Sequence, residues 1–179
     1  MKKEILITQL EEKTVSIIAW VEAQAADQFA HQITPEKWST GQHLEHLIKS
    51  TKPLNQALNM PKMALRGMFG KNNRVERTYD ELVEKYQGKL AEGIPPNTNN
   101  SFAPKPVENS QKNEVLTNFR KEVDNFKKVL DKWDEKNLSA YILPHPLIGK
   151  LTIREMLYFT IYHTEHHHLL LKRDYMYEV

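Results

Sequence analysis

Two histidines, His163 and His167, stand four residues apart in a C-terminal segment of helical periodicity. That spacing sets two imidazoles about one turn apart on one helix face, where both can reach a single metal ion. Two more, His43 and His46, fall in the run Trp38-Ser39-Thr40-Gly41-Gln42-His43-Leu44-Glu45-His46-Leu47. A third imidazole from this second helix would complete a three-nitrogen face and leave positions open for water or substrate. An i,i+4 pair alone is a weak motif, and a histidine at a helix interface is as often a hydrogen-bonded core residue. The last segment, however, is apolar on most sides, with Met156, Leu157, Phe159, Ile161, Leu169, Leu170 and Leu171. At least one of the pair is therefore drawn inward, and a buried imidazole needs partners.

The neighbouring histidines sort by geometry. His166 and His168 point roughly 100° to either side of His167, so one helix cannot aim all three at one ion. They are expected at the rim, in an outer layer or in solvent. His145 reads as a turn residue, with an outer donor role near a metal as its alternative. On a helical wheel His43 lies at the edge of the apolar stripe of its helix and His46 lies further round. Periodicity favours His43 as the inward residue, whereas a kink at Pro53 would bring His46 inward. The pattern leaves that choice open.

Five helical stretches must position these groups. Leu6, Leu10, Ile17 and Val21 give a first helix from about residue 3 to the mid-twenties. Ser39 with Gln42 has the form of a capping box, starting a second helix near Thr40 whose stripe is Leu44, Leu47, Ile48, Thr51, Leu54 and Leu58. Residues 60–77 read as an irregular crossover with a short helix at most. Thr78 with Glu81 caps a third helix that ends near Gly93. The Pro- and Asn-rich stretch 94–110 is a long loop. Val115, Leu116, Phe119, Val123, Phe126, Leu130 and Trp133 then mark a helix over about 111–133. Pro144, Pro146 and Gly149 make a turn, and Thr152 with Glu155 caps the last helix, to about Arg173. No stretch alternates with a period of two for long enough to predict a strand. The fold class expected is all-α: one domain, 1–179, forming an antiparallel four-helix bundle with a long crossover and a Pro-rich loop.

Composition narrows the chemistry. The chain has no cysteine, which excludes disulfides, thiolate metal sites and cysteine nucleophiles. Lys and Arg outnumber Asp and Glu by a net charge of only +2, so nothing calls for nucleic acid as a partner. No apolar run approaches the roughly 20 residues of a membrane span, and the acidic residues near the start do not suit a signal peptide. A cytoplasmic protein with no membrane partner is the expectation. Asn99-Asn100-Ser101 matches a glycosylation acceptor only by accident on that view.

Three stretches together resemble the DinB/YfiT-like family of metal-dependent helical bundles. They are Trp38-Ser39 with His46-Leu47, the turn His145-Pro146-Leu147-Ile148-Gly149-Lys150-Leu151-Thr152, and Tyr162-His163-Thr164-Glu165-His166-His167. With the helix pattern and the Pro-rich loop, the resemblance spans most of the chain. It implies a divalent ion, usually zinc or nickel, held by His46, His163 and His167, and so selects His46 over His43. It also implies a small-molecule thiol and an electrophile as partners, because the family includes S-transferases for bacillithiol, mycothiol and related thiols. Such proteins are often homodimers. One departure stands out: where relatives often carry a glutamine three residues beyond the last ligand, this chain has Leu170.

The function expected is thus a thiol S-transferase. An ion on three neutral imidazoles keeps its full charge and prepares an incoming thiol to attack. Lacking cysteine, the chain would take its nucleophile from a cosubstrate. The alternatives are a metal-dependent hydrolase and a non-enzymatic, stress-related metal-binding or interaction module. No proton acceptor is visible, since helical geometry points Glu45 and Glu165 away from the ligand positions.

Overall fold

The computed structural model describes residues 1–93 and 102–175. Helix α1, Lys3–Ala23, buries Leu6, Leu10, Thr14, Ile17, Ile18 and Val21 on one face, in the spacing expected of an amphipathic helix. Helix α2, Thr40–Leu58, opens on a reciprocal capping box: Ser39 accepts from the Gln42 N–H and the Gln42 side chain accepts from the Ser39 N–H. Pro53 stands inside α2, which continues to Leu58. The crossover holds the short helix α3, Lys62–Phe69, and Thr78 and Glu81 cap α4, Tyr79–Ala91, in the same reciprocal way.

Residues 94–101, which include most of the Pro-rich loop and the Asn99-Asn100-Ser101 acceptor, lie outside the described residues. Helix α5, Lys112–Leu130, buries Val115, Leu116, Phe119, Val123, Phe126, Val129 and Leu130. It stops three residues before Trp133, whose side chain is still buried and donates to the Leu58 carbonyl at 3.2 Å. Helix α7, Ile153–Tyr175, carries the C-terminal histidines.

Helices α1, α2, α5 and α7 form the bundle, with α2 packed chiefly on α5, α1 on α7, and α4 laid against α7. The all-α, four-helix architecture matches the expectation. Two small elements depart from it. Asp134 caps α6, Glu135–Ala140, by accepting from the Asn137 N–H. Strands β1, Ile142–His145, and β2, Gly149–Thr152, pair antiparallel from Ile142↔Thr152 to His145↔Gly149. Sequence missed this hairpin because four-residue strands are too short to display alternation, and Pro144 argues against a strand. A two-stranded ribbon has only edges, which tolerate the missing N–H of a proline.

The hairpin feeds directly into α7. Thr152 and Glu155 close the expected capping box, with Thr152 N donating to Glu155 at 2.8 Å and Glu155 N to the Thr152 hydroxyl at 3.0 Å. Glu155 is fully buried. Burial pushes its pKa up, but the Arg74 guanidinium and the N–H groups of Arg77 and Thr152 more than offset this and hold it below the usual carboxylate range. No helix among the described residues is long and apolar enough to cross a membrane.

Candidate metal centre

His163 and His167 leave the same face of α7, and both rings are buried, at 4% and 5% exposure. His46 reaches them from α2 and is half-buried. The Nε2 atoms converge: His46 to His163 at 3.1 Å and His163 to His167 at 3.0 Å. Each of the three offers a ligand atom within 4.8 Å of the others. Nitrogens bound about 2.0–2.1 Å from one ion stand roughly 3.0–3.4 Å apart, so the observed spacing suits a shared ion.

Hydrogen bonding on the far side fixes the tautomer of His46 and couples His167 to His43. His46 Nδ1 lies 2.7 Å from the Phe102 carbonyl, which can only accept. The proton of a neutral His46 therefore sits on Nδ1, and its Nε2 presents a lone pair to the cluster. His167 Nδ1 lies 2.7 Å from His43 Nδ1, so one proton is shared there. A single N–H on His163 can serve only one of its two neighbours, whereas a cation at the point of convergence serves three lone pairs. The donor set fits a divalent ion of borderline softness.

Electrostatics keep these rings neutral. Burial is the first cause that lowers the pKa of His43, to about 4, and of His46, His163 and His167. Mutual repulsion lowers His43, His163 and His167 further. Neutral imidazole is the metal-binding form.

Aromatic rings wall the cluster. Trp38 stacks on His167 at 6.1 Å and packs on His46 at 4.9 Å, while Phe159 stacks on His163 at 4.7 Å. The cluster opens onto a cavity of about 620 Å³ between α2, α7 and the hairpin. Its wall is mostly apolar, with Leu54, Ala57, Leu143, Leu147, Met156 and Leu170 among the lining residues. Leu170, at the position where glutamine was expected, adds an aliphatic side chain to that wall.

The structure brings His46, His163 and His167 together, and it places His43 at 6% exposure beside them. The wheel was right that His43 turns inward, but its Nδ1 meets the far side of His167 rather than the Nε2 cluster. His166 lines the cavity and stacks with Tyr162 at 5.8 Å, whereas His168 packs on Trp20 at 6.2 Å. His145 is the last residue of β1, paired with Gly149 across the turn, and lines the cavity too. Sequence reasoning missed two contributors. The Phe102 carbonyl left no trace because any residue supplies a backbone oxygen. The His43 contact was signalled only by its place at the edge of the apolar stripe, which marked it as inward without giving its partner.

A family model described as the DinB superfamily matches residues 9–171. No curated protein matches the chain. Among solved structures, YfiT from Bacillus subtilis, described as a probable metal-dependent hydrolase with an unusual four-helix bundle topology, is similar at a TM-score of 0.56. The two share 18% sequence identity, and the alignment covers 97% of this chain and 89% of that one, a likeness of fold. With the family model matching nearly the whole helical bundle, from within α1 to within α7, the chain belongs to the DinB superfamily.

Proposed function

We propose that the protein is a divalent-metal-dependent S-transferase, joining a low-molecular-weight thiol to an apolar electrophile at His46, His163 and His167. The observation that carries this reading is a cluster of three neutral nitrogens at a mostly apolar cavity with few carboxylates. Among the described lining residues only Glu36 and Asp174 carry carboxylates. Asp174 is already paired with Lys37 at 3.0 Å and Arg173 at 2.8 Å. Zinc or nickel, when bound, would lower the pKa of a thiol enough to supply thiolate near neutral pH without a protein base. The chain's own residues then hold and orient. His163 and His167 present Nε2 from a rigid helix, and Trp38 and Phe159 exclude water from the imidazoles. The apolar wall seats the electrophile. In the transfer a carbon–sulfur bond forms, the bond to the leaving group breaks, and the thiol proton departs with that group.

Hydrolysis is the second reading, favoured by the description given to Bacillus subtilis YfiT. The same three histidines would serve, with water as nucleophile. Tag-free protein loaded with zinc or nickel separates the two. Thiol-dependent release of chloride from a chloro-dinitroarene, with bacillithiol or mycothiol as donor, is the expected result. Turnover of an ester or amide without any thiol, and none with it, would overturn the transferase reading. Failure to bind either metal stoichiometrically would overturn both.

A further inference from the structure

The cavity contains a hydrogen-bond donor that the proposed chemistry does not use. His145 closes the β1–β2 turn at 8% exposure, and its Nδ1 accepts from the backbone N–H of Leu147 at 3.2 Å and of Ile148 at 3.3 Å. A nitrogen that accepts two N–H groups carries no proton, so a neutral His145 must carry its proton on Nε2. Burial lowers the pKa of the ring to about 4, which keeps this neutral tautomer through the physiological range. Among the described residues no acceptor meets Nε2, and the atom is not enclosed, so its N–H bonds to solvent in the cavity; the turn takes Nδ1, and the Phe159 and Tyr86 rings pack against the imidazole at 4.2 Å and 6.1 Å.

A donor N–H that bonds to water loses that bond when an apolar ligand fills the cavity, so a ligand that brings its own acceptor is favoured over one that does not. The surroundings here are apolar: Leu143, Leu147 and Met156 line the same cavity. Phe159 packs against both His145, at 4.2 Å, and His163, at 4.7 Å, so one aromatic ring links the donor's ring to the three-nitrogen cluster.

We propose that His145 is a specificity-determining hydrogen-bond donor, and that the cavity selects an apolar substrate with a carbonyl-type oxygen a few bonds beyond its reacting atom. The inference rests on the reading of the histidine cluster as the reacting centre. An aliphatic ketone, ester or amide chain fits this description, and a polar or multiply charged electrophile does not.

The test uses full-length protein, metal-free and zinc-loaded, with two probes of one shape: octan-2-one and 2-methyloct-1-ene, in which a methylene replaces the oxygen. Asparagine at position 145 can still accept from the two turn N–H groups through Oδ1, as Asx turns do, but does not reach the cavity with an N–H. In His145→Asn the ketone is expected to bind about fivefold to tenfold more weakly by titration calorimetry, with the alkene changed less than about twofold. His145→Ala, which also strips the turn of its acceptor, should lose thermal stability that His145→Asn retains. Equal weakening of both probes, no change for the ketone, or no binding of either probe to the wild type would overturn the assignment. Loss of zinc from His145→Asn would overturn it as well, by placing the ring's role at the metal. Absence of thiol transfer together with an intact ketone preference would instead remove the transferase reading and leave the specificity role standing.

Discussion

Replacing His43 tests the metal centre through a residue outside the three converging nitrogens. His43 Nδ1 and His167 Nδ1 are 2.7 Å apart, with both rings buried. Two neutral imidazoles at that distance share one proton. If His167 offers the Nε2 lone pair to an ion, its proton must lie on Nδ1, and His43 must accept it. Substitution by leucine removes the acceptor and leaves two outcomes. Either a buried N–H on His167 goes unpaired, which costs about 1–3 kcal/mol, or the ring changes tautomer and blocks its own lone pair. Outer partners of metal-bound histidines are typically worth about 10- to 100-fold in affinity, equivalent to about 1.4–2.8 kcal/mol.

Asparagine at the same position keeps an acceptor, because its Oδ1 stands as far from the main chain as the imidazole Nδ1. Both substitutions remove the ring that packs edge-on against Trp38 at 5.6 Å, so the difference between them isolates the hydrogen bond. Competition for zinc against a chromophoric chelator at pH 7.5 reads the effect, with thermal melts of the metal-free variants to confirm equal folding. His43→Leu is expected to weaken zinc at least about tenfold and His43→Asn by less than about threefold. Equal affinities for the two variants, whether both high or both low, would refute the shared-proton argument.

Two further outcomes follow from the same structure. The folded pKa of His145, about 4, lies below the ordinary 6.5, so between these values the unfolded chain binds more protons and stability falls on acidification. Well above pH 6.5 the contribution is constant, and from pH 7 to pH 5 it removes about 2 kcal/mol. Urea midpoints of metal-free wild type should therefore fall more steeply over that interval than those of His145→Asn; parallel slopes would contradict the buried neutral ring. Gly41, near the start of α2, sits where an added Cβ would meet Val107 and lie 2.6 Å from the Phe29 ring. Overpacking there costs about 1–3 kcal/mol, against at most about 1 kcal/mol gained in helix propensity, so Gly41→Ala should lower the melting temperature. An unchanged or raised value would show that the contact relaxes freely.

How much could be read in advance depended on whether a feature repeats with a period or arises from a single contact. The bundle was legible because α1 and α5 repeat apolar residues over five turns, and because Ser39/Gln42, Thr78/Glu81 and Thr152/Glu155 mark helix starts by side chains that bond only there. His163 and His167 were legible for the same reason, since a spacing of four has one meaning on a helix. The β1–β2 hairpin was not, because four residues and a proline hide a period of two. The partner from α2 was harder still. His43 and His46 are both near α7, and what separates them is that His46 turns Nε2 to the cluster while His43 turns Nδ1 to the far side of His167. That is decided by the Phe102 carbonyl on one ring and the His167 ring on the other, contacts spanning 56 and 124 residues that no local pattern encodes.

The position of the cluster also says what an ion would do to the fold. Helix α2 packs chiefly on α5, and α1 packs chiefly on α7, so the bundle is two helix pairs with a lighter seam between α2 and α7. His46 lies on one side of that seam and His163 and His167 on the other. The three Nε2 atoms face one another there, and their protons cannot join all of them. An ion held by all three would join the helix pairs across this seam and stabilise the fold by RT ln(1 + [M]/Kd). At a hundredfold excess over Kd this amounts to about 2.7 kcal/mol, a large fraction of a typical domain's stability. The cavity lies along the same seam, bordered by Leu47 and Leu54 from α2 and by Met156 and Leu170 from α7. Loading the cluster therefore fixes the distance between the two cavity walls, and affinity for an apolar ligand should rise with metal even when the ligand never touches it.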